Sequence, residues 1–108
     1  MKAYRVSVLD EFLSEIVFAK TPSKAKAAFL KSEGVFGVLG EYEVDYVDLR
    51  CSREPTVDEM QSANPEKIAY KLIKEAGWVW DDGEIDGDNV DEPEFRERLH
   101  DIFKERGH

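Results

Sequence analysis

IVFAKTPSKAKAAFLKSEG, residues 16–34, followed by YEVDYVDL, residues 42–49, is the stretch whose reading decides the fold. Ile16-Val17-Phe18-Ala19 is an apolar run too short for a helix and bounded by polar residues, which reads as a strand. Thr21-Pro22 then opens a helix. Threonine caps well, and proline suits the first helical position because its missing N–H would be unpaired there anyway. Ala25, Ala28, Phe29 and Ser32 recur at helical spacing, so a narrow face of small residues can lie close on a sheet. Gly34 is expected to end the helix in the left-handed conformation. Tyr42 to Leu49 is the returning strand. A right-handed crossover makes it run parallel to the strand at 16–19.

Upstream, Tyr4, Val6 and Val8 alternate with Arg5 and Ser7, a strand with one buried face. Asp10 to Ser14 suits a wide loop back into the second strand, with Phe12 and Leu13 tucked onto the sheet rim. The third strand changes phase: Tyr42, Val44 and Tyr46 share one face, and Val47, Leu49 and Cys51 the other. A bulge near Tyr46-Val47 reconciles them, and a strand buried on both faces is the alternative. Glu41, Glu43, Asp45 and Asp48 interleave with the tyrosines. They read either as the wet side of the sheet or as an acidic, aromatic recognition face. Downstream, Thr56-Val57-Asp58-Glu59 matches a capping box, so a single helical turn is expected to follow. Asn64-Pro65 opens a firmer helix with Ile68, Ala69, Leu72, Ile73 and Ala76 on one side, closed by Gly77, with Trp78 placed for a hydrophobic contact on Ile73. Asp82-Gly83 is a favoured type I′ pair and sets Trp80 opposite Ile85. From Pro93 onward, Phe95, Leu99, Ile102 and Phe103 form the stripe of an amphipathic helix. The fold class is therefore α+β. It is a small β-β-α-β sheet of three strands in order 2-1-3, all antiparallel, with helices mainly on one face, a Trp-rich hairpin and a C-terminal amphipathic helix. Phe18, Phe29 and Leu72 should be deeply buried.

The 108 residues fit one domain, 1–108, with one modest core. No apolar run approaches the ~20 residues that span a membrane. The N-terminal residues lack a signal-peptide core, and the single cysteine, Cys51, allows no internal disulfide, so a reducing, cytoplasmic setting is expected. The net charge of −9 is concentrated. Asp81, Asp82, Glu84, Asp86, Asp88, Asp91, Glu92 and Glu94 fall within residues 81–94 with no Lys or Arg among them, leaving 16 acids against 15 bases elsewhere. Attraction to nucleic-acid phosphates needs a basic surface, so direct binding is disfavoured and a basic protein surface is the better partner.

Catalytic constellations are missing from the sequence. His100 reads as a solvated surface residue near Arg96, Asp101 and Lys104, and no nucleophile elbow, phosphate-cradling glycine loop or metalloprotease pair occurs. Cys51 reads as a half-buried strand residue. Asp82-x-Glu84-x-Asp86-Gly87 resembles the start of a calcium-binding loop. Its twelfth place is Pro93 where a bidentate Glu is required, and no helix enters it. No catalytic residue, metal ligand or cofactor is assigned.

Three segments carry a resemblance. They are Val17-Phe18-Ala19-Lys20-Thr21-Pro22-Ser23-Lys24-Ala25-Lys26, then Val44-Asp45-Tyr46-Val47-Asp48-Leu49-Arg50, then Lys74-Glu75-Ala76-Gly77-Trp78. Together, across roughly residues 15–80, they resemble a group of small uncharacterised bacteriophage and prophage proteins. The acidic segment and the last helix lie outside the resemblance. What it implies is a phage or mobile-element origin, with no catalytic residue to carry over. A small, acidic, site-poor phage protein is expected to be a non-enzymatic accessory protein in the bacterial cytoplasm. It would bind and inhibit a host or defence protein, in the manner of an anti-CRISPR, by imitating a nucleic acid. The candidate partner contacts are Asp81, Asp82, Glu84, Asp86, Asp88, Asp91, Glu92 and Glu94, with Glu43 and Asp45 from the third strand. The alternatives are an acidic scaffold that oligomerises through its C-terminal helix, or a metal-dependent enzyme.

Overall fold

The computed structural model describes residues 1–8, 14–31, 33–37, 49–81 and 83–105. These fold as two compact units, Met1–Gln61 and Ser62–His108. The expectations for Phe12, Leu13, Glu41, Glu43, Asp45 and Asp48, and for a bulge at Tyr46-Val47, lie outside the described residues.

The first unit holds β1 (Lys2–Val8), β2 (Ser14–Ala19), α1 (Pro22–Leu30) and β3 (Leu49–Arg53). The sheet order is β2-β1-β3 with both pairings antiparallel. Opposite residues in such a ladder share a face. Tyr4, Val6 and Val8 therefore lie with Val17, Ala19, Leu49 and Cys51, and α1 brings Ala25 and Phe29 onto that face to close one apolar cluster. Thr21 caps α1 as expected: its Oγ1 accepts from the Lys24 N–H at 3.2 Å, and Pro22 occupies the first turn.

Four local expectations are corrected in this unit. Phe18 is half-buried rather than deeply buried; it lies on the sheet face opposite α1, whereas Val17 and Ala19 join the cluster that the helix closes. The third strand runs on past Leu49, where the sequence reading ended it: Leu49–Arg53 pairs with β1, Val8 with Leu49 and Tyr4 with Arg53, while the expected residues 42–48 lie outside the described residues. Gly34 is not left-handed; α1 ends at Leu30, and its cap residue Lys31 has φ −92°. The reason for a glycine at 34 is proximity, since a Cβ there would sit 2.2 Å from Glu15 Cγ. Finally, the helical turn does not follow Thr56. It is a 3₁₀ turn, Pro55–Val57, and Asp58 behind it is drawn elsewhere. One Asp58 oxygen accepts from the Ala3 N–H at 2.7 Å, and the carboxylate grips both ends of the Arg53 guanidinium at 3.0 and 2.6 Å.

Glu15 is the buried charge of this unit, 2% exposed on the α1 side of β2. Its Oε1 accepts from the Ile16 N–H at 2.9 Å and from the Phe36 N–H at 2.7 Å. Val35 N–H donates to Ile16 C=O at 2.9 Å, so residues 34–36 lie along β2. Backbone N–H groups that would otherwise be buried without a partner are satisfied by this carboxylate.

The second unit holds α2 (Pro65–Ala76) and α3 (Pro93–Glu105). Asn64 Oδ1 caps α2 by accepting from the Lys67 N–H at 2.9 Å, and Gly77 closes it in the left-handed conformation at φ 75°. Ile68, Ala69, Leu72 and Ile73 are buried from α2, Leu99 and Phe103 from α3, and Ile85 and Val90 from between them. Phe95 and Ile102, the outer members of the α3 stripe, are half-buried.

Candidate binding surface

Residues 77–92 connect α2 to α3, and the described ones among them form a hydrogen-bonded path. Trp80 and Ile85 pair as the sequence predicts, exchanging both backbone hydrogen bonds at 2.8 and 3.0 Å. Gly83 has φ 87° and Asp81 φ 54°, so the turn needs positive φ at a non-glycine as well. The type I′ assignment rests partly on Asp82, outside the described residues. Trp80 stacks on Trp78 with centroids 6.3 Å apart and meets Phe103 of α3 at 5.8 Å.

Beyond Ile85, the acidic residues organise the backbone. Asp86 Oδ1 accepts from the N–H groups of Asp88 at 2.9 Å and Asn89 at 3.1 Å. Asn89 Oδ1 accepts from the Asp86 N–H at 2.9 Å, and its Nδ2 donates to the Glu84 C=O at 2.7 Å. Asp and Asn favour such turns because their short side chains reach backbone groups two or three residues away. The turn drives Val90 inward to full burial.

The sequence places no base within 81–94, but the fold supplies bases from the flanking helices. Arg98 of α3 binds both Asp81 and Glu84. Lys74 of α2 donates to Asp91 Oδ2 at 2.7 Å, and the Tyr70 hydroxyl donates to Asp91 Oδ1. Of the expected contacts, Asp81, Glu84 and Asp91 are thus ion-paired and Asp86 is an internal acceptor. Asp88, Glu92 and Glu94 are exposed and make no salt bridge among the described residues. Asp82, Glu43 and Asp45 lie outside the described residues. Lys74 and Tyr70 are four apart on α2, a spacing that puts them on one face and is visible in the sequence. Which loop that face meets is not.

Hydrogen bonds from Lys74, and next from Tyr70, hold the Asp91 carboxyl below its ordinary value of 3.8. The bond to Asp91 in turn holds Lys74 above 10.5 and Tyr70 above 10.0. A carboxyl depressed by folding contributes stability at pH above its unfolded value and loses it as pH falls through the folded value. A raised lysine contributes below its unfolded value and loses the contribution as pH rises through the folded one. Acidification below 3.8 should therefore lower the melting temperature of the parent more steeply than that of Asp91→Asn. Equal acid slopes for the two proteins would show that this carboxylate is not held.

His100 is a surface residue, as expected, and it also has a partner. Its ring is exposed, but Nδ1 lies 2.7 Å from Glu66 Oε1, and Arg96 donates to the other Glu66 oxygen at 3.0 Å. The Arg96 guanidinium also lies 4.7 Å from the Tyr70 ring centre. Glu66, Pro93, Arg96, Glu97 and His100 line an open depression of about 420 Å³ that presents no hydroxyl or thiol nucleophile. Cys51 is half-buried against the sheet cluster, and burial pushes its thiol up, which suppresses the reactive thiolate. Among the described residues, no three His, Cys, Asp or Glu side chains gather closely enough to hold a metal ion. No described helix is long and apolar enough to cross a membrane.

No protein family, characterised protein or solved structure matches this chain.

Proposed function

We propose that this is a non-enzymatic accessory protein of a phage or mobile element, acting in the bacterial cytoplasm. It binds and inhibits a host or defence protein by covering a basic, nucleic-acid-facing surface. The observation that carries this reading is the division of labour among the acids of 81–94. Asp81, Glu84, Asp86 and Asp91 are engaged inside the second unit, so Asp88, Glu92 and Glu94 are presented from a hydrogen-bonded frame. Glu92 C=O accepts from the Arg96 N–H at 2.9 Å and its own N–H donates to Asn89 C=O at 2.9 Å, which anchors that frame to the start of α3. Carboxylates held at fixed positions pay less ordering entropy on binding than carboxylates on a loose loop. They also accelerate encounter with a basic partner in a salt-sensitive way.

The scaffold reading is less well supported. Leu99 and Phe103, the centre of the α3 stripe, are buried and so are not presented to a second copy.

The test uses the outward acids. Asp88→Asn, Glu92→Gln and Glu94→Gln together should leave the fold intact, slow association with a partner captured from host lysate, and flatten the salt dependence of that association. Full inhibition by this triple variant, with an unchanged salt slope, would remove the acidic surface from the mechanism. Glu84 and Asp86 are unsuitable for this purpose, because changing them also breaks the Arg98 pair and the Asp86 turn.

A further inference from the structure

The depression lined by Glu66, Pro93, Arg96, Glu97 and His100 lies within the second unit, between the start of α2 and the outer side of α3. Glu66 stands in the first turn of α2 and gives both carboxylate oxygens to α3. Its Oε1 lies 2.7 Å from His100 Nδ1, and its Oε2 accepts from Arg96 at 3.0 Å. An ionised carboxylate has no proton to give, so in the neutral ring Nδ1 carries the proton and Nε2 carries the lone pair. The imidazole is thus pinned at one nitrogen, and the other makes no hydrogen bond among the described residues. Glu97 precedes His100 by three residues, which puts the two on one face of α3 with Cβ atoms roughly 5–6 Å apart. Both are exposed, and Glu97 makes no ion pair among the described residues. Arg96, the cation of the lining, is neutralised by Glu66 and laid over the Tyr70 ring. The two polar groups left to a ligand are therefore both acceptors, His100 Nε2 and the Glu97 carboxylate, beside the apolar ring of Pro93.

We propose that this depression receives an arginine side chain of the partner protein. The guanidinium donates to His100 Nε2 and to the Glu97 carboxylate, and its methylene stem lies on Pro93. With two carboxylates against one guanidinium, the lining favours a cation. Arginine carries five N–H donors in one plane and can serve two acceptors a helical turn apart, whereas the lysine ammonium is a compact point charge. Its stem also covers apolar surface while the charged head stays wet. The choice of a protein-borne arginine rests on the basic partner of the function proposed above.

The experiment titrates the isotope-labelled full chain, at constant ionic strength, with the N-acetyl amides of arginine, lysine and citrulline, following backbone amide resonances. Saturable shifts at Glu66, Arg96, Glu97 and His100 are expected with the arginine probe, weaker ones with lysine and none with uncharged citrulline. Glu97→Gln should weaken arginine binding about threefold to fivefold, the upper range for an exposed ion pair. His100→Phe, which removes Nε2 and leaves Glu66 its Arg96 partner, should weaken it by a similar factor. The variant changed at Asp88, Glu92 and Glu94 should bind the arginine probe as the parent does, so failure of this site and failure of the acidic surface are read separately. Absence of saturable shifts overturns the proposal, and so do equal affinity for citrulline or unchanged affinity in both folded variants. A lysine probe that binds as tightly as arginine overturns the guanidinium assignment.

Discussion

Phe29→Ala is expected to lower the unfolding free energy by about 3–5 kcal/mol, as truncation of a buried phenylalanine to a methyl commonly does. Phe29 is 1% exposed and is the largest side chain that α1 lays on the sheet, where it joins Tyr4, Val6, Val8, Val17 and Leu49. Ala25, its neighbour one turn earlier, is fully buried but too small to fill the space left behind. The helix is nine residues long, below the length at which an isolated helix holds itself together, so its order depends on this contact. Urea unfolding with a fixed slope and a shifted midpoint is the direct measurement. An unchanged midpoint would mean that α1 does not rest on the sheet through Phe29.

Glu15→Ala is expected to have the second large effect. It removes the acceptor for the buried Ile16 and Phe36 N–H groups, and each orphaned donor costs roughly 1–3 kcal/mol. Gly34→Ala attacks the same contact from the other side, since its methyl would meet the Glu15 side chain at 2.2 Å. The two changes share one cause and should not add. With the carboxylate already gone, Gly34→Ala should cost less than it does in the parent. Additive losses in the double variant would show that Gly34 is required for a reason other than room for Glu15. Thermal or urea unfolding of the four proteins supplies the cycle.

The two residues also mark where sequence reading stops. The helix caps at Thr21, Asn64 and Gly77 were legible because each acts on groups within a few residues, so local order specifies the partner. The Trp80–Ile85 pairing was legible for the same reason. The handedness of the connection through α1 made the third strand parallel to β2, which suits the free edge of β1, but handedness does not choose the edge; the pairing of Leu49–Arg53 with β1 does. The burial of Glu15 was not legible. Its partner Phe36 is 21 residues away, and an acid beside an apolar run reads as the polar edge of a strand. Gly34 was legible as special but not for its reason, because a close approach and a left-handed turn both call for the same residue. The acidic run at 81–94 was plain as composition, yet its arrangement depended on Lys74, Tyr70 and Arg98, which only the packing of α2 and α3 brings to it. Local chemistry determined where the elements begin and end. Tertiary structure decided which charges are internal and which face outward, because a charge is neutralised by whatever lies within a few ångströms, and that neighbour is chosen by the fold.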